Sequence, residues 1–179
     1  LDGLRESHDT MRGVPGNFER AILTARNLRN VRARFGERFE AHFNTVITRD
    51  NLDEILILAE WALSERIVDG HYFNLIRGDA RNPALKDVSP ETLKKIYAGI
   101  ASVQERYANR WATGSNRVIR WLKKVAYLGT LTFHHRTQLQ NAGGSKAWAM
   151  PCTAGETSAV IDFDGRVRSC ELRKPVGDL

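Results

Sequence analysis

Two stretches decide the fold class of this sequence: Ala41-His42-Phe43-Asn44-Thr45-Val46-Ile47-Thr48 and Gly70-His71-Tyr72-Phe73-Asn74-Leu75-Ile76. Both are short, free of proline and rich in β-branched or aromatic residues, which predicts two strands. A helix is predicted between them, opening at Asn51 with Glu54 as its capping-box partner. Strands that alternate with helices are typical of βα units and a parallel sheet, so the sequence predicts an α/β fold.

Further elements are predicted on both sides of this unit. A helix is expected from Asn17, as its N-cap, to about Arg34. Ser89-Pro90 marks the start of another, which runs to about Trp111, breaks at 113–115 and resumes to about Gln140. After a linker at 141–145, Asp164-Gly165 predicts a β-hairpin between 158–163 and 166–170. Because two strands cannot fill a sheet, we expect the chain to be an internal piece of a longer protein.

The composition limits the class of protein. The chain has 179 residues, 42% of them apolar, with 27 Lys+Arg, 21 Asp+Glu and a net charge of +6. This is enough apolar surface for a core, so wholesale disorder is excluded. No stretch approaches the roughly 20 apolar residues of a membrane span, and no membrane partner is expected. Two cysteines cannot form the framework of a small disulfide-rich secreted domain. We therefore expect a cytoplasmic protein.

Several motifs, in order, resemble those of one enzyme class. The segment 1–13, LDGLRESHDTMRG, is similar to the "LDG…HD…RG" segment of radical S-adenosylmethionine (SAM) enzymes of the SPASM-containing class. FNTVITRDN at 43–51 and HYFNLIRG at 71–78 are similar to the fifth and sixth barrel strands of that class. Cys152, Gly165 and Cys170 follow the opening SPASM pattern, C-x(9–15)-G-x4-C.

This resemblance implies a domain organisation. Residues 1–88 would be the C-terminal part of a partial (β/α)6 TIM-like barrel. Residues 89–145 would be a helical segment and linker, and 146–179 the start of a SPASM domain for auxiliary clusters.

The resemblance also implies an activity. Enzymes of this class reduce SAM at a [4Fe–4S] cluster and use the resulting 5′-deoxyadenosyl radical to take a hydrogen atom from substrate. It implies an auxiliary [4Fe–4S] cluster, a peptide or protein substrate and an electron donor such as flavodoxin or ferredoxin. The C-x3-C-x2-C loop that ligates the radical-generating cluster is absent from this sequence. We therefore expect an enzymatic parent, of which this chain alone is inactive.

Three residues match positions where the class binds SAM. Asp2 corresponds to an acid near the ribose, and a carboxylate can accept both ribose hydroxyls; the alternative is a turn residue. Arg12 corresponds to an arginine that contacts the SAM carboxylate, a task suited to a planar guanidinium; the alternative is a solvated surface residue. Leu75 corresponds to an apolar contact of adenine, and a plain core leucine is nearly as good an interpretation.

The resemblance assigns Cys152 and Cys170 to cluster ligation. They flank the predicted hairpin, whose two arms could bring them close together. Without the resemblance, the better interpretation is a pair of small buried apolar side chains.

A rival hypothesis is a non-catalytic basic module that binds nucleic acid through residues 111–124. Basic residues in that segment stand near two tryptophans, which is compatible with a nucleic-acid face. An amphipathic helix with a solvated basic side is the favoured interpretation, and nucleic acid is not the expected partner. The residues of the basic segment are Trp111, Arg117, Arg120, Trp121, Lys123 and Lys124.

The five histidines show no metal-ligand spacing, so core or surface roles are expected.

Overall fold

The computed structural model describes residues 1–35, 40–78, 80–110, 112, 116–143, 154–162, 164–170 and 173–178. Within these ranges the chain is mostly helical, with a small parallel sheet near its middle. The helices are α1 (Arg5–Arg12), α2 (Asn17–Phe35), α3 (Ile55–Ser64), α4 (Pro90–Tyr107) and α5 (Arg117–Ala142). The strands are β1 (His42–Ile47), β2 (Gly70–Leu75), β3 (Val160–Ile161), β4 (Arg166–Arg168) and β5 (Gly177–Asp178).

The strands β1 and β2 pair in parallel, in a register that runs from His42↔Gly70 to Ile47↔Leu75. The helix α3 connects them, which makes the unit β1-α3-β2 a βαβ crossover. Both predicted strands are confirmed to within a residue or two of their ends. The partial barrel and the domain boundaries stay predictions, since a parallel pair is compatible with several α/β architectures.

One face of this pair carries the core. Odd-numbered side chains point to that face, since successive residues of a strand alternate. Phe73 and Ile47 pack there in a cluster with α3 and α4, which includes Ile55 and Ile100, both fully buried. A second cluster joins Phe43 to α2 and α3. The even-numbered face is the more exposed one in β1, and it is half-buried in β2.

Residues outside the two strands form hydrogen bonds with backbone groups on both outer edges of the pair. On the β1 side, the Val46 N–H donates to the Asp2 carboxylate, and the Leu1 backbone nitrogen donates to the Asn44 carbonyl. On the β2 side, the Leu75 N–H donates to Gln138 of α5. Unpaired edge groups would otherwise be open to other strands, so these contacts protect a sheet of two strands.

Two predicted helix starts are wrong in detail. Asn17 is the first residue of α2, not its cap, and the Asp9 carboxylate instead accepts the N–H groups of Gly16 and Phe18. These backbone bonds, led by that from Phe18, lower the pKa of Asp9. A 3₁₀ turn, Arg49–Glu54, precedes α3; Asn51 accepts the N–H of Thr48, the N-cap of that turn, and does not form the predicted capping box with Glu54. Long-range partners compete for these side chains, as shown below.

The remaining predictions fare better. The Ser89 hydroxyl accepts the Thr92 N–H at the start of α4, as its N-cap role requires. The predicted hairpin is confirmed in shorter form, with β3 and β4 antiparallel and Gly165 in the left-handed region at φ 86°. The helix α1 was not predicted. No helix among the described residues is long and apolar enough to cross a membrane.

Candidate functional site

Asp2 lies buried at the outer edge of β1, where four neighbours hold it. Its carboxylate accepts the Val46 N–H at 3.2 Å and pairs with the Arg12 guanidinium. Its backbone N–H donates to Nδ1 of His8, and its carbonyl accepts from Asn51 Nδ2 at 2.6 Å. Asp2 is thus a structural residue of the sheet edge in addition to any ligand that it binds.

Asn51 is the residue that locks this edge together. Its amide nitrogen also donates to the Val46 carbonyl at 2.9 Å, and its oxygen accepts the Thr48 N–H at 2.8 Å. The side chain is 1% exposed, so these bonds replace water completely. Glu54 acts in a similar way on the next segment, accepting the Leu4 N–H and the Ser7 hydroxyl at 2.7 Å each. Sequence reasoning placed both residues at a helix start and missed these contacts.

The structure brings two of the predicted SAM ligands into direct contact. Arg12 ends α1 and forms an ion pair with Asp2, whose side chain is 6% exposed, while half of the Arg12 side chain faces solvent. Nη2 of the guanidinium therefore pairs with a buried carboxylate, while the Arg12 side chain as a whole stays half exposed. The roles of Asp2 at the ribose and of Arg12 at the methionine carboxylate stay predictions.

Leu75, the third predicted SAM contact, borders a cavity of about 450 Å³. The cavity lies where β1 and β2 end, between α4, α5 and the segment after β2. The carboxyl end of parallel strands is the usual place for ligands in α/β folds. Its wall is polar and apolar in about equal parts and includes two basic and two amide side chains: Ile47, Leu75, Ile76, Arg77, Gly78, Lys86, Val88, Leu93, Gln138, Asn141 and Ala142. A cavity of this kind suits a small organic ligand.

His71 is a buried titratable residue that the sequence placed in the core or at the surface. Its Nε2 lies 2.7 Å from the Thr45 hydroxyl, which also bonds to the Leu1 carbonyl, and its Nδ1 has no hydrogen-bond partner in the part of the chain that the structure describes. Burial lowers its pKa to about 3. The imidazole is therefore neutral at pH 7 and links both strands to the first residue of the chain.

The other histidines also follow the expectation of core or surface roles. His8 and His135 are buried, and burial lowers the pKa of both, to about 4 for His135. Among the residues that the structure describes, no three His, Cys, Asp or Glu side chains are arranged to hold a metal ion.

One of the two cysteines lies within the described residues. Cys152 lies outside the described residues, and Cys170 is half-buried after β4. Iron–sulfur clusters are typically held by about four thiolates, and the sequence contains two cysteines. The residues of this chain therefore do not fit a complete [4Fe–4S] cluster, and the auxiliary role of Cys152 and Cys170 stays a prediction.

The basic segment lies on the first turns of α5, and Trp111 lies outside the described residues. Arg117, Arg120 and Lys123 are exposed there. Apolar side chains on the same turns are exposed as well, with Trp121 at 61% and Val118 at 63%. A mixed basic and apolar surface is not specific to nucleic acid, so this hypothesis gains no support from the geometry.

Comparison with known proteins gives one informative similarity. A curated relative, the AdoMet-dependent heme synthase of Methanosarcina barkeri (strain Fusaro / DSM 804), is 27% identical over 175 residues. The alignment covers 95% of this chain and 46% of the relative, so the chain spans about half the length of the curated relative it matches. No protein-family model and no solved structure matches the chain. The similarity supports a radical SAM relationship.

Proposed function

We propose, from this similarity, that the chain belongs to a radical SAM enzyme that reductively cleaves SAM and abstracts a hydrogen atom from its substrate. The observation that carries the proposal is an alignment to an AdoMet-dependent enzyme over 95% of the chain. SAM supplies the 5′-deoxyadenosyl group for this chemistry once electrons reach it. Because the chain lacks the cysteines for a cluster, its own part is to bind and orient SAM and substrate.

Three features of the described residues support SAM binding at the carboxyl ends of the strands. The Arg12 side chain is half exposed, and a guanidinium can bind a carboxylate through two parallel hydrogen bonds. The apolar wall at Leu75 can cover an adenine ring. The buried Asp2 holds Arg12 in place through their ion pair.

Two substrate classes are open to such an enzyme. The sequence resemblance implies a peptide or protein. The relative is named a heme synthase, and its alignment covers nearly all of this chain, so we place a tetrapyrrole first. The proposed enzyme needs a low-potential electron donor such as flavodoxin or ferredoxin, and an auxiliary cluster would involve Cys152 and Cys170.

The test uses the intact protein, which means the full-length enzyme to which this chain is proposed to belong. It is reconstituted with iron and sulfide in the absence of oxygen, and formation of 5′-deoxyadenosine is measured. We expect SAM cleavage with a chemical reductant. The proposal fails if the protein takes up no iron and forms no 5′-deoxyadenosine.

Arg12→Lys tests the predicted SAM contact. Lysine keeps a cation beside Asp2 but loses the planar fork. We expect KM for SAM to rise about tenfold, the effect of roughly 1.4 kcal/mol, with little change in melting temperature. The matched control is Arg5→Lys on the same helix, since Arg5 pairs with Glu19 in an exposed position. Equal KM values for the two variants would remove Arg12 from the site.

A further inference from the structure

The even-numbered face of β1 and β2 carries a chain of three side-chain amides. The Leu75 N–H donates to Gln138 Oε1 at 3.3 Å, and Gln138 Nε2 donates to Asn74 Oδ1 at 2.9 Å. Asn74 Nδ2 then donates to Asn44 Oδ1 at 2.6 Å. This series of hydrogen bonds thus connects the backbone of β2, through α5, to the exposed face of β1.

The hydrogen bonds of this amide series all run in one donor-to-acceptor direction. Its first donor is a backbone N–H, which cannot accept, so Gln138 must present its oxygen to Leu75 and its nitrogen to Asn74. The same rule then orients Asn74 and Asn44 in turn. The Asn44 nitrogen, with two N–H donors, therefore remains on the exposed face, where no described residue accepts from it.

A second donor lies beside the first. Tyr72 is the register partner of Asn44 on β2, and neighbouring strands are about 4.8 Å apart. The Tyr72 ring is held by His42 at 5.3 Å and by His134 at 6.4 Å between ring centroids. Its hydroxyl forms no hydrogen bond with the described residues. His42 Nε2 lies 3.2 Å from the Glu40 carboxylate, whose negative charge also acts on Tyr72, so a bound carboxylate has to gain more from the two donors than it loses to Glu40.

We propose that Asn44 and Tyr72 form a recognition site for a carboxylate of the substrate, with Asn74 and Gln138 as positioning residues. The proposal rests on the proposed function for the identity of the substrate. A carboxylate has two acceptor oxygens, and its hydrogen bonds are roughly twice as strong as those of a neutral carbonyl. Both substrate classes fit, because the heme propionates and the C-terminus of a peptide are carboxylates.

The experiment measures equilibrium binding to the intact protein without reductant, so it does not depend on SAM cleavage. The probes are protoporphyrin IX and its dimethyl ester, and a peptide with a free or an amidated C-terminus. At least one free acid is expected to bind about tenfold more tightly than the matching ester or amide (its capped twin). A tenfold difference in affinity is about what one charge-assisted hydrogen bond contributes. Equal binding of acid and capped twin in both pairs would overturn the proposal.

Asn44→Asp replaces the donor with a like charge and should abolish the preference for the acid, with little effect on the capped twin. The control is Asn109→Asp, an equal charge change at an exposed residue of the turn Ala108–Arg110. Tyr72→Phe should reduce the preference in part. If Asn44→Asp keeps the full preference, the site is not the one proposed.

Gln138→Glu tests whether Gln138 orients the Asn44 amide or only stabilises the fold. Glutamate still accepts the Leu75 N–H but no longer donates to Asn74, so the amide chain loses its direction. We expect a partial loss of acid preference and a lower melting temperature, because the new carboxylate is buried. The preference is a ratio of two affinities, so a loss of stability alone does not change it. An unchanged preference would show that Asn44 needs no positioning. Failure of SAM cleavage with acid preference intact would instead overturn the proposed function alone.

Discussion

At the scale of single residues, the edge of β1 depends on one buried amide. Asn51 bonds to Asp2, Val46 and Thr48 at once. Removing the amide leaves two carbonyls and one N–H in a site that water does not reach, and each such group costs free energy.

We therefore expect Asn51→Ala to lower the free energy of unfolding by about 2–4 kcal/mol. Urea denaturation followed by circular dichroism measures this change. Asn109→Ala, at an exposed asparagine of the turn Ala108–Arg110, should stay within about 0.5 kcal/mol of the unsubstituted protein. Similar losses in the two variants would mean that Asn51 is not a lock.

At the scale of elements, α3 and α4 approach closely at one glycine. A Cβ atom at Gly99 of α4 would lie 2.7 Å from a terminal carbon of Leu56 on α3, so Leu56 would have to move. Gly129 of α5 has nothing within 4 Å of the same position and provides a matched case.

Gly129→Ala should stabilise the protein by about 0.5–1 kcal/mol, because alanine is the better helix former. Gly99→Ala should gain less or lose stability, because the contact with Leu56 offsets that benefit. Thermal unfolding of the two variants decides the matter, and Leu56→Ala should restore the gain in the Gly99→Ala background. Equal gains without that second change would contradict the close packing.

At the scale of the whole molecule, buried neutral histidines make stability depend on pH. The pKa of His71 is lowered to about 3, while in the unfolded chain it returns to about 6.5. Between these values the unfolded state binds more protons, so stability is lost as the pH falls from 6.5 towards 3.

For His71 alone the loss at pH 5 is at most about 2 kcal/mol. We expect His71→Phe, between the rings of Phe43 and Phe73, to show a smaller decrease between pH 7.5 and 5. The comparison uses the change with pH, not absolute stability, since the variant also loses the bond to Thr45. His42→Gln, at an exposed histidine, should retain the full decrease. A parallel pH profile in His71→Phe would exclude His71 as the source.

The sequence by itself determined many of the elements of this protein, although not α1. Residue composition placed β1 and β2, Ser89-Pro90 placed the start of α4, and Asp164-Gly165 placed the hairpin turn. These features succeed because they depend on neighbours within a few residues, such as a side chain that accepts an N–H three positions on. The motifs also indicated the radical SAM relationship that the heme synthase supports.

Only the tertiary structure decided what the polar side chains do. Asn51 accepts the Thr48 N–H at the start of the 3₁₀ turn and also bonds to Asp2, while Glu54 bonds to Leu4 and Ser7 and caps no helix. Asn44 accepts from Asn74, which in turn accepts from Gln138 of α5, and nothing in the strand sequence indicates these partners. Such bonds join residues that the strand pairing and the packing of α1 and α5 bring together. Because a buried polar group must find a partner wherever the fold provides one, local sequence cannot specify which partner it finds.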